Sequence, residues 1–260
     1  MAGAPVRGIL LDLEGTLYAD GRAIEGAAGA LAGLRELGVG LRFLTNTDSK
    51  PVAQVRAELV EYGLMVRPDE LFTPVVAAQQ LLAAAGARAY PLVSAALRSE
   101  LGNLVHEPPY SHVLIGDCRD TLDYAALDGA FRAVRDGAVL LAMQRGRYFK
   151  RADGDHLDTG AVVAAIEYAA GVTARVLGKP ATDFFELAAG SLSVTAAECV
   201  VVGDDATTDI AGGRTAGLRT VQVRTGKYAD QQGEGLTGQA DHEIDSIGEL
   251  PLLIGKLMAR

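Results

Sequence analysis

The stretch VRGILLDLEGT, residues 6–16, decides the fold class of the chain. Its first part, Val6–Leu13, is a short apolar run that carries an acid near its end and leads into Gly15 and Thr16. Such a run predicts a strand that is buried on both faces of a parallel sheet. Because ligands bind at the carboxyl ends of strands in open α/β sheets, Asp12 is predicted to lie at the mouth of a cleft. Taken alone, the motif also fits an acid beside an ordinary turn.

The first and last thirds of the sequence alternate between strand and helix patterns. Predicted strands cover residues 39–44, 198–202 and 220–223, and predicted helices cover 27–37, 52–62, 182–190, 208–216 and 247–258. Glycines at 38 and 63 mark the ends of two of these helices. The alternation predicts a parallel sheet with right-handed crossovers.

The middle of the chain has its own set of elements. Predicted helices cover residues 75–85, 124–135 and 161–170, and predicted strands cover 89–93, 112–115 and 139–143. We therefore predict a Rossmann-like parallel-sheet core of residues 1–73 and 175–260, with a second α/β domain of residues 74–174 inserted into it.

Composition narrows the classes of function. Of the 260 residues, 49% are hydrophobic and 22% are charged, and the formal net charge is −9. A negative chain lacks the cationic surface that a nucleic acid polymer or an anionic membrane requires. The two cysteines make no disulfide framework, and no apolar stretch approaches the ~20 residues that cross a bilayer. We therefore expect a cytoplasmic protein.

Two further polar clusters are predicted near the edge that holds Asp12. Thr45 and Asn46 follow the strand over 39–44, where a hydroxyl and an amide can donate hydrogen bonds to phosphate oxygens. Lys179 lies between a glycine and a proline ahead of a helix, where its charge can neutralise a carboxylate and a phosphoryl group. Thr and Asn are also common loop residues, and most lysines are simply solvated.

The acids after the strand over 198–202 are the most specific signal. Asp204, Asp205 and Asp209 follow this apolar run, with Gly203 at the turn. Grouped acids repel and raise one another's pKa, and a bound divalent cation removes that penalty. Carboxylate oxygens suit Mg²⁺, so the cluster predicts a magnesium site, with a solvated turn as the alternative.

In this order the motifs resemble those of the haloacid dehalogenase superfamily of phosphohydrolases, over nearly the whole chain. The sequence is most similar to the NagD-type subgroup, whose large α/β cap domain is inserted between the second and third motifs. Within that subgroup it resembles the phospholysine phosphohistidine inorganic pyrophosphate phosphatases and their HDHD-type relatives. The segments that carry this likeness are 146–150, 178–180, 203–205 and 223–227. The resemblance implies that residues 74–174 are a cap that closes over the cleft, and that the protein forms a homodimer through the cap.

The resemblance also implies catalytic roles. Asp12 would be the nucleophile that takes up the phosphoryl group of a small phosphorylated molecule. Thr45 and Asn46 would hold the phosphoryl oxygens. Lys179 would pair with Asp12 and with the phosphoryl group.

For the metal, the resemblance implies Mg²⁺ held by Asp12, Asp204 and the backbone carbonyl of residue 14. Asp209 would steady the site from outside the ligand set, and Asp205 would reach the metal directly or through water.

Glu14 is a departure from the family pattern. Many family phosphatases carry an Asp at this position, where it protonates the leaving group and then activates water. Glu has the same chemical group on a longer arm, so we expect it to serve as acid and base. The alternative that Glu14 favours is a binding or scaffold protein with weak or no catalysis. Two others are a phospho-acceptor signalling domain, against which the order of residues 12–16 and the inserted domain count, and a metal-independent dehalogenase, against which the acids at 204–209 count.

Overall fold

The computed structural model describes residues 4–104, 106–151 and 153–259, without the side chains of residues 150 and 151. In chain order, the strands are β1 (Gly8–Asp12), β2 (Tyr18–Ala19), β3 (Arg22–Ala23), β4 (Gly40–Leu44), β5 (Leu71–Phe72), β6 (Ala89–Leu92), β7 (His112–Ile115), β8 (Val139–Ala142), β9 (Tyr148–Arg151), β10 (Gly154–Leu157), β11 (Arg175–Val176), β12 (Cys199–Gly203), β13 (Arg219–Val223) and β14 (His242–Ile244). The α-helices are α1 (Ala27–Glu36), α2 (Val52–Glu61), α3 (Pro74–Ala84), α4 (Ala95–Leu101), α5 (Tyr124–Arg135), α6 (Thr159–Ala170), α7 (Thr182–Gly190), α8 (Ala211–Thr215), α9 (Tyr228–Gly233) and α10 (Leu250–Met258). Within the described ranges, each of these helices is too short or too polar to cross a membrane.

The chain divides into two compact units. Unit 1 contains residues 1–45, 53–72 and 179–260, and unit 2 contains residues 46–52 and 73–178. This division differs from the predicted one, because residues 46–52, 73 and 175–178 belong to the inserted unit. Residues 175–178 join it because β11 pairs in parallel with β8, with Arg175 opposite Leu141.

Unit 1 is built on a six-stranded sheet in the order β14-β13-β12-β1-β4-β5, with every neighbouring pair parallel. The central strands β1 and β12 are buried along their whole length, as expected of apolar strands covered on both faces. Leu11 pairs with Val202 and Asp12 pairs with Leu44, so β1, β4 and β12 end at the same level. The predicted α/β fold class is confirmed.

Unit 2 has its own parallel sheet in the order β11-β8-β7-β6. Helices α5 and α6 pack against it through a buried apolar cluster that includes Val113, Ala130 and Ile166. The antiparallel hairpin of β9 and β10 lies between β8 and β11 in sequence and was not predicted. The predicted helix over 208–216 is a π-helical turn over Ala206–Ile210 followed by α8.

A buried carboxylate, Glu70, holds the chain at the start of β5 in unit 1. Its side chain is fully buried, and its Oε2 accepts hydrogen bonds from the Arg35 guanidinium at 2.9 Å and from the Arg67 backbone N–H at 2.8 Å. The Arg67 guanidinium forms an ion pair with Oε1 at 2.9 Å. Hydrogen bonds to a charged group are stronger than neutral ones, so Glu70 contributes to the stability of unit 1.

We expect Glu70→Gln to lower the free energy of unfolding by about 1–3 kcal/mol, since it removes the charge while keeping the volume. Glu198→Gln is a matched control. Glu198 also ends a 3₁₀ turn and accepts a hydrogen bond from the backbone three residues before, but its ion pair with Arg7 is at the surface. It should lose less stability than Glu70→Gln, because exposed ion pairs contribute little. Equal losses in denaturant titrations of the two variants would contradict this account.

Candidate active site

The carboxyl edge of the unit 1 sheet gathers polar residues from several strands. Asp12 is the last residue of β1, and Thr45 comes directly after β4. Asp204 follows β12, and Gly226 lies shortly after β13. Lys179 precedes α7, and its ammonium group reaches the same edge, where it binds Asp12. Parallel register explains this convergence, since neighbouring strands end together.

The Lys179 ammonium group lies between two buried carboxylates. It donates hydrogen bonds to Oδ1 of Asp12 and, at 2.7 Å, to Oδ1 of Asp209. The second oxygen of Asp12, Oδ2, accepts a hydrogen bond from the Thr16 hydroxyl at 3.1 Å. Burial lowers the pKa of Lys179, but the charges of Asp12 and Asp209 outweigh it and raise the pKa above its ordinary value. Lys179 therefore stays cationic and offsets the negative charge of its neighbours.

Three carboxylates crowd this site. One oxygen from each of Asp12, Asp204 and Asp209 lies within 4.8 Å of the other two, and all three residues are buried. Burial raises the pKa of Asp204 and of Asp209, and the negative charge of Asp12 raises both further. One ammonium group does not balance three carboxylates, so the site favours an additional cation.

Two glycines keep the space around Asp204 open. Gly15 and Gly226 have φ values of 86° and 57°, and a Cβ at either position would lie 2.2 or 2.1 Å from Oδ2 of Asp204. That oxygen accepts a hydrogen bond from the Lys227 backbone N–H at 2.8 Å. The hydrogen bonds among the described residues leave Oδ1 of Asp204 open. Hard oxygen donors around a glycine-lined space fit Mg²⁺, which keeps several of its waters.

We expect Gly15→Ala to abolish metal-dependent turnover, because its methyl group would displace the Asp204 carboxylate. Activity should fall at least about 10²-fold, as for other small misplacements of catalytic groups. Gly63→Ala is the control, because Gly63 has a similar φ of 80° with nothing within 4 Å of its Cβ position. Both variants should lose about 1–2 kcal/mol from left-handed backbone strain. Equal activities of the two variants across a Mg²⁺ titration would contradict the role of Gly15.

Asp205 points away from the three crowded carboxylates. Its oxygens accept hydrogen bonds from the Lys227 ammonium group at 2.8 Å, the Gln231 amide at 2.9 Å and the backbone N–H groups of Thr207 and Thr208 at 2.8 and 3.1 Å. Burial raises the pKa of Asp205, but hydrogen bonds from the side chains of Lys227, Thr207 and Gln231 lower it well below its ordinary value. Asp205 thus anchors the turn that carries Asp209.

The remaining predicted residues are Glu14, Thr45 and Asn46. Glu14 is exposed, and its carboxylate is not one of the three crowded groups. Its backbone pairs with that of Tyr18 at the start of the β2–β3 hairpin. Thr45 is buried at the end of β4 in unit 1, whereas Asn46 is the first residue of unit 2.

Three contributors to the site lie in motifs that the sequence analysis quoted, but no role was predicted for them. Thr16 binds the carboxylate of Asp12, the Thr225 hydroxyl donates a hydrogen bond to the Gly15 carbonyl at 2.5 Å, and Lys227 binds both Asp204 and Asp205. The sequence does contain a pattern that points to Thr225 and Lys227. Residues 225–227, Thr-Gly-Lys, follow the strand β13, as polar clusters follow the other strands of the sheet.

Comparison with known proteins places this site in a family. The haloacid dehalogenase-like hydrolase family model matches residues 9–104, and the HAD-hydrolase-like model matches residues 176–250. Phospholysine phosphohistidine inorganic pyrophosphate phosphatase from Homo sapiens is 35% identical over 252 residues, which are 95% of this chain and 93% of the relative.

Two solved structures have the same fold as this chain. NagD from E. coli K-12 superposes with a TM-score of 0.85 at 25% identity, covering 94% of this chain and 98% of NagD. A p-nitrophenyl phosphatase from Archaeoglobus fulgidus has the same fold, with a TM-score of 0.86 at 24% identity, covering 96% of this chain and 99% of the phosphatase. The chain therefore belongs to the haloacid dehalogenase superfamily of hydrolases. Within that superfamily it is a phosphoric-ester hydrolase of the NagD type.

Proposed function

We propose that this protein is a Mg²⁺-dependent phosphatase that hydrolyses a small phosphorylated molecule through an aspartyl-phosphate on Asp12. The observation that supports it most strongly is the Lys179 ammonium group between Asp12 and Asp209, with Asp204 in the same cluster. Asp12, Asp204 and the backbone carbonyl of residue 14 would hold the metal, with Asp209 beside them. When bound, Mg²⁺ supplies positive charge that polarises the phosphoryl group and offsets the charge of the substrate.

In the first step, a carboxylate oxygen of Asp12 attacks phosphorus in line with the leaving group. The new O–P bond forms as the bond to the leaving oxygen or nitrogen breaks, and the leaving atom takes the electron pair. Lys179 offsets charge on the phosphoryl oxygens, and Thr45 and Asn46 donate hydrogen bonds to them. Most of the acceleration comes from this positioning and charge stabilisation.

Glu14 is proposed to move the protons. It gives a proton to the leaving group and then takes one from the water that hydrolyses the acyl phosphate. Its exposed position leaves the longer arm free to reorient. Such a group typically contributes ~10²–10⁴-fold to the rate, so a poorly placed Glu14 would give a slow enzyme.

The substrate class is a phosphate monoester, a phosphoramidate or a pyrophosphate. The names of the relatives cover all three, since one acts on phospholysine, phosphohistidine and inorganic pyrophosphate and another on p-nitrophenyl phosphate. A screen of phosphorylated metabolites that includes phosphohistidine and pyrophosphate, with and without Mg²⁺, tests the proposal. Metal-dependent release of phosphate would support it, and no release from any substrate would favour a binding or scaffold role.

A further inference from the structure

Asp48 is a buried acid to which the proposed chemistry gives no role. It lies three residues after Thr45, in the segment 46–52, and only 5% of its surface is exposed. Burial, and then the charges of Asp158 and Asp117, raise its pKa to about 6. A buried carboxyl group is costly unless it is hydrogen-bonded, so its partners show what holds it.

Within unit 2, the partners of Asp48 come from the start of α6 and from the loop after β8. Its Oδ2 accepts a hydrogen bond from the Thr159 hydroxyl at 2.7 Å, and its Oδ1 accepts a longer one from the Gln144 amide at 3.4 Å. The Gln144 amide also donates to Asp158 at 2.8 Å, and Asp158 accepts from the Thr159 backbone N–H at 2.8 Å. The four side chains form one network that fixes Asp48.

The far end of the same segment is also held. The backbone N–H of Val52 donates to both carboxylate oxygens of Glu100, at 3.2 and 3.3 Å. Residues 46–52 are therefore fastened to unit 2 at Asp48 and at Val52, which explains why they belong to it.

The loop after β8 reaches a second stretch of chain as well. A Cβ on Gly178 would lie 2.6 Å from the Met143 carbonyl and 2.8 Å from Oδ1 of Asn46. Gly178 directly precedes Lys179, and Asn46 directly follows Thr45. The network that fixes Asp48 thus sits beside both stretches of chain that lead to phosphoryl-binding residues.

We propose that Asp48 is a positioning residue, which through Thr159 and Gln144 sets the placement of Asn46 and Thr45 for the phosphoryl group. The inference rests on the proposed function, because it assumes that these two residues bind phosphoryl oxygens. Loss of the Asp48 carboxylate lets the segment 46–52 shift, which weakens phosphate binding more than it lowers the stability of the protein.

The test uses Asp48→Ala, Thr159→Val and the double variant of the full chain. Each single variant should raise KM for p-nitrophenyl phosphate about tenfold, and the double variant should raise it about tenfold rather than a hundredfold, because both remove the same interaction. The inhibition constant of inorganic phosphate should rise in parallel. Thr159→Ser, which keeps the hydroxyl group, should restore both values.

Thr121→Val is the matched control. Thr121 also lies in unit 2, and its hydroxyl donates to the Val93 carbonyl at 2.8 Å. This variant should lower the melting temperature without changing KM. If Asp48→Ala and Thr159→Val also lower the melting temperature without changing KM, the positioning role is wrong. It is also wrong if their effects on KM multiply in the double variant. Calorimetric titration of the unaltered protein with inorganic phosphate measures phosphate binding independently of turnover. An absence of turnover would count against the proposed function, and not against the positioning role of Asp48.

Discussion

Asp12→Asn is expected to abolish phosphate release, with a fall of at least about 10³-fold in kcat/KM for an aryl phosphate. An amide oxygen is a far weaker nucleophile than a carboxylate and cannot form the acyl phosphate. The substitution keeps the volume of the side chain, and Lys179 retains Asp209 as its partner. It also removes one of three crowded negative charges. The variant should therefore stay folded while it loses activity.

Asp230→Asn makes the same chemical change at an exposed position in α9. It should keep full activity and a free energy of unfolding within about 0.5 kcal/mol of the unaltered protein. Steady-state kinetics and thermal unfolding, measured on both variants in one Mg²⁺ buffer, provide the comparison. More than a tenth of normal activity in Asp12→Asn would exclude Asp12 as the nucleophile.

The central strands could be predicted from sequence, because a strand that is buried on both faces appears as a short continuous apolar run. β1, β4 and β12 were each located to within two residues as short apolar runs. The two-residue strands β2 and β3 and the hairpin of β9 and β10 were missed. The residues of β2, β3 and β10 are at most partly buried, as in the Gly-Asp-His-Leu sequence of β10, so no apolar pattern marks these strands.

The boundary of the inserted unit depended on a contact that no local pattern reveals. Residues 46–52 follow β4 and were placed in the core by sequence. The hydrogen bond between Asp48 and Thr159 joins residues 111 positions apart and fastens this segment to unit 2. The expected homodimer through the inserted domain stays a prediction.

The sequence predicts which residues lie at the strand ends that form the site. It does not predict the direction in which each side chain points. Parallel topology brings Asp12, Lys179, Asp204 and Asp209 together, as their positions in the sequence suggested. Consecutive acids cannot be told apart in this way. Asp204 faces the crowded site, whereas Asp205 turns to Lys227, a residue more than twenty positions later that was not considered as its partner.

The second large effect is expected for Lys179→Met, which keeps the length of the side chain and removes its charge. Asp12 and Asp209 would then lose their shared cation in a buried site. Removing one partner of a buried ion pair typically costs about 3–5 kcal/mol, so the unfolding free energy should fall by that amount. Turnover should fall by about 10²–10³-fold, as when one charge-stabilising donor is removed from an active site.

Lys227→Met is the matched comparison, because the Lys227 ammonium group pairs with Asp205 alone among the described residues and its side chain is 65% exposed. It should lose less than about 1 kcal/mol, since exposed ion pairs contribute little. Added Mg²⁺ should restore part of the stability of Lys179→Met, because a divalent cation among Asp12, Asp204 and Asp209 replaces the missing charge. Chemical unfolding with and without Mg²⁺ measures both effects. If Lys179→Met loses no more stability than Lys227→Met, the ammonium group does not hold the crowded carboxylates together, and the charge balance proposed for the phosphoryl site is wrong.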